Sequence, residues 1–153
     1  REKEVDFPDS YYMDDQAIVT NKSDSAVTAD NYADELNKSD ATLIVQSGST
    51  AESFAKENFP KATIKSLKIA TECFTALQAN QGVAVITNRS VAAQMVAGQF
   101  SDQQVIKQIS TGEEYAIAVS KDNGALKDKL NDVLKELTDD GTIDSLMQKY
   151  NIK

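Results

Sequence analysis

The sequence contains no histidine and one cysteine among its 153 residues, and both shortages limit its chemistry. Without histidine the chain cannot form a Ser-His-Asp or Cys-His catalytic group, nor a metal site built on imidazole. The one cysteine, Cys73, excludes an internal disulfide and a cysteine-cluster metal site, and its helical spacing from Leu77 favours a small buried apolar role. No pair of carboxylates is arranged for acid–base catalysis. The residues therefore indicate binding rather than catalysis, with no metal and no cofactor expected.

Basic residues and long apolar runs are also scarce. The chain has 16 Lys and Arg against 24 Asp and Glu, a net charge of −8. A nucleic-acid-binding protein needs a basic surface, so no nucleic-acid partner is expected. The longest apolar runs, such as residues 82–86, are too short to cross a bilayer. The length and the 41% hydrophobic content are typical of a globular chain of one domain or two small lobes.

Short apolar runs alternate with helical patterns through the middle of the chain. Strands are predicted at residues 17–20, 42–45, 62–64, 82–86, 105–109 and 115–119. Helices are predicted at residues 28–36 with Thr28 as the cap, between a cap at Ser49 and a stop at Pro60, and at residues 71–79 and 90–97. The strands are apolar throughout, which is typical of strands covered on both faces. The sequence thus predicts an α/β fold with a mostly parallel sheet and helices on both faces.

Two amphipathic helices are predicted after Lys121. Their apolar residues recur at helical spacing: Leu126, Leu130, Val133, Leu134 and Leu137 in the first helix, and Ile143, Leu146, Met147 and Tyr150 in the second, which Thr142 would cap. Such helices need an apolar surface to lie on. Either the preceding α/β segment or a partner chain could provide that surface.

Two turns that lead from a strand into a helix are candidate ligand sites, because ligands of open α/β sheets bind at the carboxyl ends of strands. The first turn, residues 46–50, combines a glycine, hydroxyls and a helix start, which suits a carboxylate or a phosphate. Ser49 and Glu52 also have the spacing of a capping box, so an ordinary capped helix is the alternative. The second turn, residues 87–89, has a plain polar cap as its alternative. The first turn lacks the glycine-lysine-threonine pattern of a phosphate loop.

Five segments, in order, carry a further pattern. They are Arg1-Glu2-Lys3-Glu4-Val5-Asp6-Phe7 with Tyr11-Tyr12, residues 45–50, residues 74–86, residues 115–121, and Asp140-Gly141-Thr142 with Leu146, Lys149 and Tyr150. Together they resemble the type II solute-binding proteins of bacterial ABC importers, in the polar amino-acid branch. The resemblance covers the whole chain.

The resemblance implies an α/β periplasmic-binding-protein type II lobe together with part of a second lobe. Residues 1–15 would be a remnant of lobe one, 21–113 the complete lobe two, and 120–153 the C-terminal helices of lobe one. Residues 16–20 and 114–119 would be the hinge strands about which the lobes close on a ligand. The chain is expected to be a fragment without the start of lobe one, and a second chain could cover the incomplete lobe.

The resemblance also implies a ligand site. Arg1 would grip the α-carboxylate of the ligand through two parallel hydrogen bonds. Ser49 and Thr50 would donate to the same carboxylate at a helix start, and Gln46 would line the side-chain pocket. Asn88 falls where the family usually has an aspartate that pairs with the ligand ammonium. Because asparagine can accept through its carbonyl but carries no charge, that bond would be weaker.

The function implied is that of the extracytoplasmic solute-binding component of an ABC transporter, or a fragment of one. It would capture an amino acid or a related small carboxylate and deliver it to a membrane permease, without enzymatic activity. It would lie in the periplasm or be lipid-anchored at the cell surface. A sensor or receptor ectodomain and a dehydratase-like enzyme on the same fold are the alternatives, and the enzyme would need a positioned acid or base.

Overall fold

The computed structural model describes residues 4–150 and 152. Its strands are β1 (Val5–Asp6), β2 (Tyr12–Asn21), β3 (Thr42–Gln46), β4 (Thr63–Leu67), β5 (Ala84–Asn88), β6 (Gln103–Tyr115) and β7 (Val119–Ser120). Its helices are α1 (Tyr32–Leu36), α2 (Thr50–Asn58), α3 (Ala70–Gln78), α4 (Arg89–Ala97), α5 (Gly124–Asp139) and α6 (Thr142–Lys149). The chain divides into a central unit, Asp15–Ser110, and a terminal unit formed by the segments that end at Asp14 and begin at Thr111.

A five-stranded sheet forms the centre of the central unit, with the strand order β4-β3-β5-β2-β6. Strand β3 runs parallel to both β4 and β5, so that Ile44 lies opposite Val85. Strand β2 runs antiparallel to β5, with Ile18 opposite Ile86. The parallel part of the sheet is therefore β4-β3-β5, and β2 enters from the opposite direction.

Two apolar cores cover the two faces of this sheet, because successive strand residues point to opposite sides. The core on one face joins strand residues to α3 and α4: Ala17, Val19, Ile44, Val85, Cys73, Phe74, Ala76, Leu77 and Ala92, with Phe100. The other core joins the alternate residues to α1 and α2: Ile18, Leu43, Val45, Ala84, Ile86, Leu36, Ala51 and Ala55, with Val27 and Phe59. The predicted α/β fold with helices on both faces is confirmed. Burial on both sides is why the strands read as continuous apolar runs.

Strands β3 and β4 end slightly later than predicted, at Gln46 and Leu67, and two other strands are much longer than predicted. Strand β2 begins at Tyr12, five positions before the predicted start at Ala17, and includes the buried polar residues Asp14 and Gln16. Strand β6 runs from Gln103 to Tyr115 and takes in a polar stretch that separated two predicted strands. The predicted strand at 115–119 is wrong, since residues 116–118 lie in neither β6 nor β7. The hinge role assigned to 16–20 and 114–119 stays a prediction.

Four helix starts also differ from prediction, and one of them is α4, which begins at Arg89 and not at Ser90. Helix α1 begins at Tyr32, because Thr28 forms a turn with Asn31 instead of capping the helix: the Thr28 N–H donates to Asn31 Oδ1 at 2.7 Å. Helix α3 begins at Ala70, one position early. Helix α6 begins at Thr142, but Gly141 occupies the cap position with a φ of +78° that favours glycine.

The terminal unit pairs β1 with β7 in antiparallel register and packs α5 against β7 and α6. Within it, the Asp9 N–H donates to Asn131 Oδ1 at 2.8 Å, and the Tyr12 hydroxyl donates to the Ile152 carbonyl at 2.8 Å. The two predicted C-terminal helices are confirmed. Neither α5 nor α6 has a fully buried residue, and Leu146 and Tyr150 are 44% and 52% exposed.

Candidate functional site

Polar side chains gather at the carboxyl ends of the two central parallel strands. Gln46 is the last residue of β3, Asn88 is the last residue of β5, and α2 begins at Thr50 directly after the turn that follows β3. Because β2 runs antiparallel to β5, its residue Gln16 lies opposite Asn88 at this same end of the sheet. We refer to Gln16, Gln46, Ser49, Thr50 and Asn88 as the carboxyl-end cluster.

The turn between β3 and α2 is fixed by hydrogen bonds to Ser49. Its hydroxyl donates to the Gln46 carbonyl at 2.7 Å and accepts from the Glu52 N–H at 3.2 Å. Gly48 has a φ of +74°, a conformation that L side chains rarely adopt. Ser49 therefore caps α2 as predicted. In this arrangement the proton of its hydroxyl is directed to Gln46, so the Ser49 side chain holds the turn.

The carboxylate of Glu52 braces the turn from the helix side. It accepts from the Gly48 N–H at 2.6 Å, from Lys56 Nζ at 2.7 Å and from the Ser66 hydroxyl at 2.8 Å. These bonds, with Lys56 as the largest cause and Gly48 and Ser66 next, lower the pKa of Glu52 from 4.5 to about 2. The predicted capping box forms only in part, since the carboxylate bonds Gly48 and not the Ser49 N–H.

Thr50 is the first residue of α2 and is held from the core side by Gln16. The Gln16 side-chain amide donates through Nε2 to Thr50 Oγ1 at 3.2 Å, and Gln16 is completely buried. An α-helix leaves the N–H groups of its first turn without intrahelical acceptors, and its start attracts negative charge. A carboxylate placed at the start of α2 would thus meet backbone donors and the Thr50 hydroxyl.

The second turn brings Asn88 and Arg89 to the start of α4. Asn88 occupies the cap position but makes no side-chain hydrogen bond to the first turn of the helix, so the plain polar cap weighed for this turn does not form. Arg89 is the first residue of α4, and the start of a helix favours negative charge.

Gln16 is the member of the cluster that sequence reasoning missed as a site residue. The sequence placed it only at the start of a hinge strand, and its one signal is a polar residue directly before the apolar run that begins at Ala17. Arg1, the predicted carboxylate-binding cation, lies outside the described residues. The structure therefore brings Gln46, Ser49, Thr50 and Asn88 to one end of the sheet and does not place Arg1.

Other chemistry has little support in the part of the chain that the structure describes. Within residues 4–150 and 152, no group of three or more His, Cys, Asp and Glu is arranged to hold a metal ion. Burial, with a smaller contribution from Glu72, raises the pKa of the Cys73 thiol to about 11, which disfavours the reactive thiolate. None of the helices described is both long and apolar enough to span a bilayer.

The sheet covered on both faces, with a helix start and polar side chains at the carboxyl ends of its strands, matches the fold of solved proteins of the periplasmic-binding-protein type II class. The chain belongs to the bacterial extracellular solute-binding proteins, family 3, which it matches over residues 1–153. Family membership and fold class are thereby as the sequence predicted.

Individual relatives agree with this assignment. The chain is 33% identical over 150 residues to the ABC transporter glutamine-binding protein GlnH of Bacillus subtilis (strain 168), and 32% identical over 122 residues to a glutamine-binding protein of Geobacillus stearothermophilus. These matches cover 98% and 80% of this chain but 53% and 44% of the relatives. The chain thus spans about half the length of the curated relatives it matches.

Solved structures show the same fold. The ancestral amino acid-binding protein AncCDT-1, described as a precursor of cyclohexadienyl dehydratase, is 32% identical with a TM-score of 0.87. The substrate-binding protein AbpA from Streptococcus pneumoniae, bound to L-arginine, is 26% identical with a TM-score of 0.86. Each alignment covers 98% of this chain and 63% or 62% of the other. All four are described as amino-acid-, glutamine- or substrate-binding proteins, and two of them, GlnH and AbpA, as proteins of ABC transporters.

Proposed function

We propose that this chain is part of a non-enzymatic binding protein that captures an amino acid or a related small carboxylate outside the cytoplasm for an ABC importer. The observation that carries the proposal is the start of α2 at the carboxyl ends of β3 and β5, with Thr50 bonded to the buried Gln16 at 3.2 Å. Family membership supports it, since the family is described as extracellular solute-binding proteins. The glutamine- and arginine-binding relatives support an amino acid as the ligand.

The ligand carboxylate would be bound at the start of α2. The first-turn N–H groups and the Thr50 hydroxyl would donate to it, while Ser49 holds the turn that presents them. Arg1 would add a guanidinium that makes two parallel bonds to the same carboxylate. Gln46 is exposed at the end of β3, where it would contact the ligand side chain.

Asn88 would determine how strongly the site binds the ammonium group of the ligand. A neutral amide accepts a hydrogen bond from an ammonium group less strongly than a carboxylate does. The site should therefore depend less on the ligand ammonium than one with an aspartate at this position. Glutarate is L-glutamate without the amino group. Comparing the binding of the two therefore distinguishes a site specific for amino acids from a site for carboxylates in general.

Isothermal titration of the protein expressed from its complete coding sequence tests the function. The ligands are L-glutamine, L-arginine, L-glutamate and glutarate. We expect at least one to bind, and Arg1→Gln to weaken that binding roughly 30-fold or more, because it removes one partner of a charge pair. Lys22→Gln is the matched control, since Lys22 bonds the Ser101 carbonyl and should leave binding unchanged. A folded protein that binds none of the four contradicts the proposal.

The apolar faces of α5 and α6 would be covered by the rest of lobe one, in the same protein or in a second chain. Leu126, Val133, Leu146 and Tyr150 are between 40% and 52% exposed, and helices of this kind gain most of their stability from packing such a face. The membrane permease of the importer would be the further partner of the complete protein. Both partners belong to this proposal together with the extracytoplasmic location, in the periplasm or lipid-anchored at the cell surface.

A further inference from the structure

Gln16 is a buried amide in the middle of β2, on the face that also carries Asp14, Ile18 and Thr20. Alternate residues of a strand point to the same face, so Gln16 shares its face of β2 with Ile18, which packs in the core beneath α2 with Ala51 and Ala55. Its side chain is completely buried. Burial of an amide is costly unless the amide is hydrogen-bonded. The bond from Gln16 to Thr50 therefore ties β2 to the start of α2 from within the protein.

The bond crosses an intervening strand. Strand β5 lies between β2 and β3 in the sheet, and Gln16 faces Asn88 of β5 in register. From that position its Nε2 reaches Thr50 Oγ1 at 3.2 Å. One side chain of β2 is thus bonded to the helix that follows β3. Any shift of α2 along its axis would change this donor–acceptor distance directly.

The direction of the bond decides how Thr50 can act. An amide nitrogen only donates, so the Thr50 oxygen accepts from Gln16 and its own proton points away from Gln16. We propose that Gln16 is a positioning residue that orients the Thr50 hydroxyl as a donor to the carboxylate of the ligand. This inference rests on the proposed function and deepens it. Gln16 itself need not touch the ligand, since it acts through Thr50.

A double-mutant cycle tests the coupling, with the tightest of L-glutamine, L-arginine and L-glutamate as the probe. We expect Gln16→Met and Thr50→Val each to weaken binding about fivefold to tenfold, the value of one hydrogen bond. Met fills the volume of Gln without donating. In the Thr50→Val background, Gln16→Met should then weaken binding by no more than about twofold, because the hydroxyl it orients is already absent.

Gln103 provides the matched control. It is also buried, at 1% exposure, and its Nε2 donates to the Phe74 carbonyl at 2.8 Å. Phe74 belongs to α3 and to the core on the other face of the sheet. Gln103→Met should therefore lower the melting temperature about as much as Gln16→Met while the affinity for the probe stays unchanged. A loss of affinity in both variants would mean that general destabilisation, and not positioning, explains the effect, which overturns the inference.

Gln16→Glu tests the direction of the bond. A carboxylate at this position accepts the Thr50 proton and so turns the hydroxyl away from the ligand, and binding should be weaker than in Gln16→Met. The outcomes separate the two proposals. If the wild type binds the probe but the effects of Gln16→Met and Thr50→Val multiply, the positioning role is wrong and the binding function stands. If the folded wild type binds no probe, both are wrong.

Discussion

Gly82 lies two residues before β5 and packs against Thr42 and Ile44 of β3, so its replacement by alanine is a direct test of the fold. A Cβ at position 82 would lie 2.7 Å from the Thr42 carbonyl oxygen and 2.7 Å from Cγ1 of Ile44. Neither neighbour can move freely. Ile44 is completely buried, and the Thr42 carbonyl accepts from the Val83 N–H at 2.9 Å. Gly82→Ala must therefore push the start of β5 away from β3.

The expected cost follows from these contacts. Forcing one extra methyl into a packed core costs about 1–3 kcal/mol, and weakening the bond between Val83 and Thr42 adds roughly 1 kcal/mol. The free energy of unfolding should thus fall by about 2–4 kcal/mol. For a unit of roughly 100 residues this lowers the melting temperature by about 10–20 °C.

Thermal unfolding followed by circular dichroism measures the effect. Gly124→Ala is the control, because a Cβ at position 124 meets nothing within 4 Å and alanine favours the helix that begins there. Its melting temperature should stay within about 3 °C of the wild type. If Gly82→Ala were as stable as Gly124→Ala, the close approach of β5 to β3 would be refuted, and with it the position of Asn88 at the end of β5.

Two further predictions concern the turn and the C-terminal helices. The pKa of Glu52 is lowered from 4.5 to about 2, so its contribution to stability is complete above pH 4.5 and is lost as the pH falls through 2. The difference in melting temperature between wild type and Glu52→Gln should shrink over that interval, and a difference independent of pH would contradict the network. In the 153-residue chain, amide hydrogen exchange should be slower at Leu43–Val45 of β3, which are completely buried, than at residues 126–137 of α5. Equal protection would mean that the apolar face of α5 is covered in this chain.

The helices and strands that could be predicted are those that form because of their own residues and not because of partners distant in the sequence. Residues 42–45 and 82–86 read as strands because both faces of β3 and β5 are covered by helices, so no polar residue interrupts them. Helix α2 was predicted from its cap at Ser49 and its stop at Pro60, and both act locally. Strand β6 was predicted only over residues 105–109, because the residues that follow are polar and Gly112 has a φ of +61°. Its extended path depends on pairing with β2, which lies far away in the sequence.

The difference between local and long-range interactions also explains which parts of the site were predictable. The turn at 46–50 is a local motif, so its residues were found from their order alone. Gln16 of β2 bonds Thr50, which follows β3, and β5 lies between these two strands in the sheet. This bond therefore depends on the strand order, which cannot be predicted from any local pattern in the sequence. Glu52 was expected to bond the Ser49 N–H. That N–H instead points to the Gln46 carbonyl at 3.3 Å, so the carboxylate takes the preceding N–H, that of Gly48.

Glu52 also raises an electrostatic question, since its negative charge lies one turn after a helix start that we propose binds a carboxylate. Lys56 answers it in part: with its ammonium 2.7 Å from the Glu52 carboxylate, the two charges act on the ligand as a dipole, whose field falls off faster than that of a single charge. The main effect of Glu52 on the site is then its bond to the Gly48 N–H, which holds the turn on the solvent side. Gln16 holds Thr50 on the core side. The start of α2 is therefore fixed on both sides before a ligand arrives, and less ordering free energy has to be spent when the carboxylate binds.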